Sequence, residues 1–337
     1  MNRPALHRLY NTSHPGSCAP DTAFVTLIAN ETYVPGALCL RRSLVRARSA
    51  CPIVLVVADP LPSEAMAALS TEYGSSNIYR LSDLRRRLEL FQQKVAARRL
   101  QEQKPVEQPL RNTRQLRRAG GWARRTHQKL LLFALSGYRR MAFLDIDMLV
   151  ARNVDAILDQ PAFSAVAALP YSMTSFNSGV FVFEPSLPTA AALDDLSRRA
   201  TFRPARATAG KNARTAGGPI RVRGAGERFE LTDQSILNHH YLKQWRPLPF
   251  GYNMGVKTRQ VSPKLWNKVE LAVIHFVHRP KPWEATLADA NSPMAQLTRR
   301  LGIEPLTHAW RYHCLGVPLG NVTLTAADQF LFSVPGP

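Results

Sequence analysis

The strongest constraint on the fold is the alternation of short apolar runs with helical segments at the start of the chain. Residues 23–29, 52–59 and 77–81 are rich in β-branched and other apolar side chains, which is typical of buried strands. Between them, one helix is expected to begin near Pro35 and another over 63–74. This alternation predicts an α/β fold with a doubly wound, mostly parallel central sheet and helices on both faces.

The 337 residues and 45% hydrophobic content suffice for one large core or two modest ones, and a single α/β domain with appendages is the expectation. We predict a flexible tail over 1–20, a catalytic domain over 21–290 and a C-terminal extension over 291–337. Within the domain, 85–125 is expected to be a partly helical basic insertion. Residues 203–228, rich in Gly, Arg, Ala and Pro, are expected to form a flexible loop.

The charge balance limits the kinds of partner. Lys and Arg number 44 against 24 Asp and Glu, a net charge of +20. Such a field attracts nucleotide phosphates, nucleic acid or an acidic membrane surface. The Arg-rich segment 85–125 is either a solvated face, the commoner case, or a docking arm for an acidic partner or for donor phosphates. Nucleic-acid binding is the lesser alternative, because the sequence has no recognisable DNA-binding motif and no RNA-binding platform with interleaved aromatics.

The cysteines and the N-terminus bear on the cellular compartment of the protein. Cys18, Cys39, Cys51 and Cys314 match no zinc-binding spacing, and we interpret them as free thiols in a reducing compartment. The N-terminus lacks the apolar core of a secretory signal, and no run of about 18 apolar residues would form a transmembrane segment. We therefore expect a cytoplasmic protein. The sequence leaves its oligomeric state open, with a homodimer as one alternative.

Two carboxylates mark a candidate metal site. Asp145-Ile146-Asp147 follows a predicted strand, and on extended chain the two acids would point to the same side and repel each other unless a cation lies between them. Oxygen ligands of this kind suit Mg²⁺ or Mn²⁺, ions that usually also hold substrate phosphates. Open α/β sheets bind ligands at such strand ends. An Asp-x-Asp pair alone is weak evidence, because it arises often by chance.

A second segment strengthens this interpretation. His275 also ends an apolar run, and an imidazole added to two carboxylates favours Mn²⁺ over Mg²⁺. The alternative is that His275 is a buried histidine whose hydrogen bonds are satisfied within the core. Pro280 and Pro282 restrict the backbone around Lys281, and Trp283 anchors it, an arrangement that presents a cation at a fixed point. A lysine beside a metal-bound diphosphate would offset charge on a leaving group.

Seven segments between about Phe24 and Trp283 occur in an order that is highly specific. They are TLIANETYVPGALCLRRSL (26–44), THQKLLLFAL (126–135), FLDIDMLV (143–150), FNSGVFVFEPS (176–186), DQSILN (233–238), LPFGYN (248–253) and HFVHRPKPW (275–283). Together they resemble glycosyltransferase family 8 and, within it, the glycogenin-like enzymes. The resemblance implies a GT-A fold, a Rossmann-like sheet with a metal site at its edge, and transfer of a hexose from a UDP-sugar with retained configuration.

The resemblance also implies a donor site in which uridine and diphosphate are held separately. The uridine pocket would be lined by four positions after the first strand, the last of them stacking on the base: Leu27, Ala29, Asn30 and Tyr33. Mn²⁺, with Mg²⁺ as a substitute, would be held on the diphosphate by Asp145, Asp147 and His275. Further donor contacts would come from the neighbouring positions Ile146, His278 and Lys281, the last binding the diphosphate.

The sugar-facing positions are likewise implied by the resemblance. Lys129 would approach the donor, and Asn177 and Ser178 would face the sugar. Asp233 and Gln234 would lie beneath the anomeric carbon, where either front-face attack or a covalent step could retain configuration. Each position has a structural alternative: Asn177 suits a turn, Asp233 a helix N-cap and Tyr33 a packed aromatic.

Departures from the family leave the substrates open. His278 stands where the family commonly has glycine, and a larger side chain there would crowd the diphosphate or add a donor. Leu169 or Pro170 stands where glycogenin-like chains have an Asp that touches the sugar. Glucose, galactose and N-acetylglucosamine therefore all remain candidates, as do glycan, protein and polyol acceptors. No counterpart of the self-glucosylated tyrosine region is found, and a non-catalytic UDP-sugar binder stays an alternative.

Overall fold

The computed structural model describes residues 18–58, 60–102, 127–168, 172–202, 219–222, 228–230, 232–277, 279–284, 293–300 and 302–317. His278, Leu169 and Pro170 lie outside the described residues, as do most of the predicted tail, the later part of the basic insertion and most of the predicted loop. The chain forms two compact units. The first comprises Met1–Tyr79, Arg140–Phe183 and Arg246–Pro337, and the second comprises Arg80–Arg139 and Glu184–Trp245.

The strands and helices are numbered in chain order over the described residues. The strands are β1 Thr22–Ile28, β2 Ile53–Val57, β3 Ile78–Arg80, β4 Arg140–Leu144, β5 Met148–Val150, β6 Ser164–Ala167, β7 Phe176–Phe183, β8 Ala200–Phe202, β9 Pro219–Val222, β10 Arg228–Glu230, β11 Arg246–Leu248, β12 Met254–Gly255 and β13 Val273–His275. The α-helices are α1 Val34–Arg46, α2 Ser63–Tyr73, α3 Leu81–Gln101, α4 Leu187–Arg199, α5 Asp233–His240, α6 Thr258–Val261, α7 Pro263–Lys268, α8 Pro293–Arg300 and α9 Glu304–Leu315.

A seven-stranded central sheet has the order β11-β6-β7-β4-β1-β2-β3. Strand β1 runs parallel to both β2 and β4, and β11 runs parallel to β6, whereas β7 runs antiparallel to β4 and β6. Strands β1 and β2 are buried almost throughout, which explains why both are continuous apolar runs rather than alternating ones. The predicted α/β class with a mostly parallel central sheet is confirmed.

A second, smaller sheet has the order β12-β13-β5. Strand β13 runs antiparallel to β5 and parallel to β12, so segments far apart in sequence lie side by side. Because β5 follows β4 after a short turn, this small sheet adjoins the carboxyl end of a central strand.

The four cysteines form two disulfides, so the prediction of free thiols is wrong. Cys18 is bonded to Cys51, and Cys39 to Cys314. The first pair meets because the segments leading into β1 and β2 are adjacent, with the amide of Phe24 donating to the carbonyl of Pro52 over 2.8 Å. Residue spacing does not reveal either pairing. The prediction of a cytoplasmic location rested partly on free thiols and stays a prediction.

The second compact unit contains α3, α4, α5 and a three-stranded antiparallel sheet of order β10-β9-β8. Only the first part of α3 is buried, through Leu81, Leu84 and Leu88, while the helical part of the predicted basic insertion is largely exposed. Strand β9 lies within 203–228, so residues 219–222 are strand and not loop. Across the described residues, no helix combines the length and apolarity that crossing a membrane requires.

The predicted C-terminal extension contains α8 and α9, and these helices belong to the first compact unit. Trp310 of α9 is fully buried in a cluster with Trp266, Ile274 and Phe276, and its ring centroid lies 5.5 Å from that of Trp283. The described part of the extension therefore contributes to the core beside β13. The segment boundaries at 20 and 290 stay predictions.

Replacing Trp310 with alanine should lower the free energy of unfolding by about 3–5 kcal/mol, because it removes a large buried side chain and leaves a cavity. Urea unfolding followed by circular dichroism measures the change. Leu315→Ala, at an exposed position of the same helix, is the control and should cost less than about 1 kcal/mol. Equal effects of the two substitutions would show that α9 does not pack as described.

Candidate active site

The two carboxylates of the Asp-x-Asp motif lie in the turn that joins β4 to β5. They were predicted on extended chain, and this detail is wrong: the strand ends at Leu144, and Ile146 and Asp147 form a turn before Met148. The amide of Asp145 donates to the carbonyl of Gly179 over 2.9 Å, which ties the turn to β7. Asp147 is buried, whereas 28% of the Asp145 side-chain surface is accessible to solvent.

His275 joins these carboxylates because β13 pairs with β5. In that register His275 lies opposite Met148, and the amide of Phe276 donates to the carbonyl of Asp147 over 2.9 Å. His275 Nε2 lies 3.1 Å from Asp147 Oδ1 and 3.7 Å from Asp145 Oδ2. One ligand atom from each residue falls within 4.8 Å of the others. The predicted convergence of the three side chains is therefore present.

Lys281 adds a positive charge to the cluster of Asp145, Asp147 and His275. Its Nζ is buried, donates to Asp147 Oδ2, and also donates to the carbonyl of Phe276 over 2.6 Å. Burial alone would raise the pKa of the Asp147 carboxyl, but the charges and hydrogen bonds of His275 and Lys281 hold that pKa well below its ordinary value. Asp147 is therefore ionised at neutral pH, as a metal ligand must be.

The donor set fits a divalent cation. Two carboxylates and one imidazole combine hard oxygen ligands with a nitrogen ligand, a set that suits Mn²⁺ and admits Mg²⁺. The three side chains converge without any change of backbone, and one carboxylate is already ionised. Asp145, Asp147 and His275 can thus hold a metal ion.

Gly179 is required by the position of the His275 ring. A Cβ placed on Gly179 would lie 2.5 Å from His275 Cε1 and 2.8 Å from Asn177 Oδ1. Real Cβ atoms do not approach so closely, so any side chain at this position would displace the imidazole from the carboxylates.

Gly179→Ala should weaken Mn²⁺ binding by roughly tenfold or more, because the added methyl group moves the imidazole out of register with the two acids. Electron paramagnetic resonance of free Mn²⁺ gives the affinity. Gly137→Ala is the matched control, since a Cβ there would meet nothing within 4 Å. Undiminished affinity in the Gly179 variant would contradict the described position of the ring.

The predicted uridine-binding residues lie at the carboxyl end of β1, which runs parallel to β4 and so ends at the same sheet edge as the acidic turn. Leu27 is the penultimate residue of β1, and Ala29 and Asn30 follow it with part of their surface exposed. The side chain of Asn30 accepts a hydrogen bond from the amide of Thr32 over 3.1 Å. This turn sets the chain direction into Tyr33.

Tyr33 and the acidic turn are linked through the start of α1, on which Trp283 also packs. The rings of Tyr33 and Trp283 meet edge to face with centroids 5.8 Å apart. A Cβ on Gly36 would lie 2.7 Å from the carbonyl oxygen of Ile146 and 2.8 Å from the Trp283 ring. The start of α1 therefore packs closely on both segments. Stacking of Tyr33 on a base stays a prediction.

Asn177 and Ser178 lie on β7 beside the cluster, and Ser178 is buried. The Asn177 Oδ1 accepts from the amide of Gly179 over 2.9 Å and from Asn253 Nδ2 over 2.8 Å. The Oδ1 of Asn253 lies 2.8 Å from His275 Nδ1. Sequence reasoning gave Asn253 no role, although it ends the matched segment LPFGYN.

Lys129 and Asp233 meet in the second compact unit. Lys129 Nζ lies 2.9 Å from Asp233 Oδ2, and both side chains are nearly buried. The helix N-cap is Thr232, whose side chain accepts from the amide of Ser235, so Asp233 does not serve as the cap. Gln234 follows in the first turn of α5 and is partly buried.

Comparisons with known proteins find glycogenins and galactinol synthases. The chain is 28% identical to human Glycogenin-2 over 278 residues, 80% of this chain and 44% of that one. It is 29% identical to human Glycogenin-1, covering 79% and 63%, and 24% identical to Galactinol synthase 1 of Arabidopsis thaliana, covering 80% and 74%. The predicted resemblance to glycogenin-like proteins is confirmed. The chain therefore spans less than two thirds of the length of either human glycogenin.

Solved structures of glycosyltransferases match at lower identity. One is the glycosyltransferase GlyE of Streptococcus pneumoniae, with a TM-score of 0.49, 15% identity, and coverage of 94% of this chain and 66% of that one. Another is the galactosyltransferase LgtC in complex with donor and acceptor sugar analogs, with a TM-score of 0.46, 15% identity, and coverage of 83% and 95%. No family model matches the chain.

Proposed function

We propose that this chain is a metal-dependent, retaining hexosyltransferase of the GT-A type that transfers a hexose from a UDP-sugar to a hydroxyl acceptor. The observation that carries the proposal is the convergence of Asp145, Asp147 and His275, with Lys281 against them, at the carboxyl edge of the sheet. Similarity to glycogenins and galactinol synthases over about four fifths of the chain supports it.

The proposed donor site uses the charges of the first compact unit. Mn²⁺, or Mg²⁺ in its place, would supply Lewis-acid stabilisation of the UDP leaving group. Asp145, Asp147 and His275 hold the ion, and Lys281 offsets negative charge that develops on the diphosphate. Leu27, Ala29, Asn30 and Tyr33 bind the uridine.

The resemblance also supports proposed sugar contacts in each unit taken by itself: Asn177 and Ser178 in the first, and Lys129, Asp233 and Gln234 in the second. The Asp233 carboxylate, ion-paired with the Lys129 ammonium over 2.9 Å, would either attack the anomeric carbon or balance positive charge there. The donor hexose is glucose, galactose or N-acetylglucosamine, and the acceptor is a glycan, a protein or a polyol.

A donor panel tests the reaction class. UDP-glucose, UDP-galactose and UDP-N-acetylglucosamine are each incubated with the protein, and released UDP is measured with Mn²⁺, with Mg²⁺ and with a chelator. We expect release from one preferred donor, dependent on the cation and greatest with Mn²⁺. Tight donor binding without release, with or without the three acceptor classes, would instead support the non-catalytic binder.

Asp147→Asn should reduce Mn²⁺-dependent UDP release by at least about 100-fold, because it removes a charged ligand that also anchors Lys281. Asp155→Asn is the matched control: this buried carboxylate accepts from Ser49 and from the amide of Ala50 and contacts none of the three metal ligands. Its rate per folded molecule should stay within about threefold of the parent. A fully active Asp147 variant would remove the metal site from the mechanism.

A further inference from the structure

The orientation of the His275 ring can be traced to a backbone amide. The amide of Gly179 has only a hydrogen to offer, so the Asn177 side-chain atom that faces it over 2.9 Å is an oxygen. The same oxygen lies 2.8 Å from the side chain of Asn253, which must therefore present its amino group there. One backbone donor in this way fixes the orientations of both side-chain amides.

The chain of hydrogen bonds continues to the imidazole. With its amino group turned to Asn177, Asn253 presents its oxygen to His275 Nδ1 at 2.8 Å. Because an amide oxygen only accepts, His275 Nδ1 must carry the hydrogen. A cation bound to the cluster would replace the Nε2 proton that hydrogen-bonds to Asp147, which leaves a neutral imidazole with its lone pair on Nε2, the atom that lies 3.1 Å from Asp147 and 3.7 Å from Asp145.

The strands hold this network in place. The sheet pairs Gly255 with His275 and Met254 with Ile274, so Asn253 enters directly beside the histidine strand. On the other side, β7 supplies both Asn177 and Gly179, and the absence of a Cβ on Gly179 makes room for the ring. His275 itself is 97% buried, so bulk water does not supply the Nδ1 partner.

We propose that Asn253 is a positioning residue that fixes His275 as the Nδ1-protonated tautomer and directs its Nε2 lone pair at the cation held by Asp145 and Asp147, with Asn177 orienting Asn253 in turn. The inference rests on the proposed function for the presence of the cation. A partner on the second ring nitrogen of a metal-binding histidine sets the tautomer, the ring angle and the basicity of the ligand.

Two variants separate the hydrogen bond from packing. Asn253→Leu removes the acceptor at similar size, whereas Asn253→Asp keeps an acceptor for His275 Nδ1–H and loses only the donor that faces Asn177. We expect Mn²⁺ affinity, measured by electron paramagnetic resonance of free Mn²⁺, to fall about tenfold or more in the Leu variant and by clearly less in the Asp variant. Asn153→Leu is the control, since Asn153 bonds to Arg48 and Asp155, away from the cluster.

A spectroscopic measurement reports the tautomer directly and needs no variant. In the Mg²⁺-bound parent protein, the ¹⁵N chemical shifts of the His275 imidazole should show a protonated Nδ1 and an unprotonated Nε2. The opposite tautomer would overturn the inference even if the variants do not fold.

The remaining outcomes separate the inference from the proposed function. Equal Mn²⁺ affinity in the parent and the Leu variant would overturn the inference alone, as would a loss in the Asp variant as large as in the Leu variant. A parent protein that binds no Mn²⁺ would overturn both the metal role and the inference. Retained metal binding without UDP release would leave the positioning role supported and reject the transferase.

Discussion

The site depends on the antiparallel pairing of β13 with β5. Two carboxylates in one turn repel each other, and a buried one requires a compensating positive charge. The pairing brings the imidazole of His275 against Asp147 as a hydrogen-bonding neighbour and, a few residues later, the ammonium of Lys281 as the positive charge. The same pairing extends to β12 and so places Asn253 on the far side of the imidazole. One small sheet thereby assembles the ligands, their counter-charge and the residue that orients one of them.

Close packing around this sheet leaves little freedom for the cluster. Gly179 and Gly36 occur where a larger residue would strike the His275 ring, the Ile146 carbonyl or the Trp283 indole. Trp283 in turn packs on Trp310 of α9, so the described part of the C-terminal segment supports the loop that carries Lys281. In the proposed reaction this rigidity has a purpose: ligands held in advance need no reorganisation as charge develops on the leaving group.

The sequence predicted the central strands and the convergence of the three candidate metal ligands, and it failed in several particulars. Strands β1 and β2 were recognisable because they are buried on both faces, and Asp145, Asp147 and His275 because each follows such a run. The acids were placed on extended chain because an Asp-x-Asp pattern does not show where a strand gives way to a turn. Asn253 carried no local signal, since an Asn after Tyr suits many loops, and its role arises only from what lies opposite it.

What the sequence determined by itself was the early strand–helix alternation and the chemical character of the site, because hydrophobic periodicity and ligand type are properties of neighbouring residues. Tertiary structure decided which distant residues meet. It paired Cys39 with Cys314, brought Lys129 to Asp233, and turned the Asn253 oxygen toward His275. Such contacts follow from strand order and register, which bring remote segments within hydrogen-bonding distance only after the whole sheet has formed.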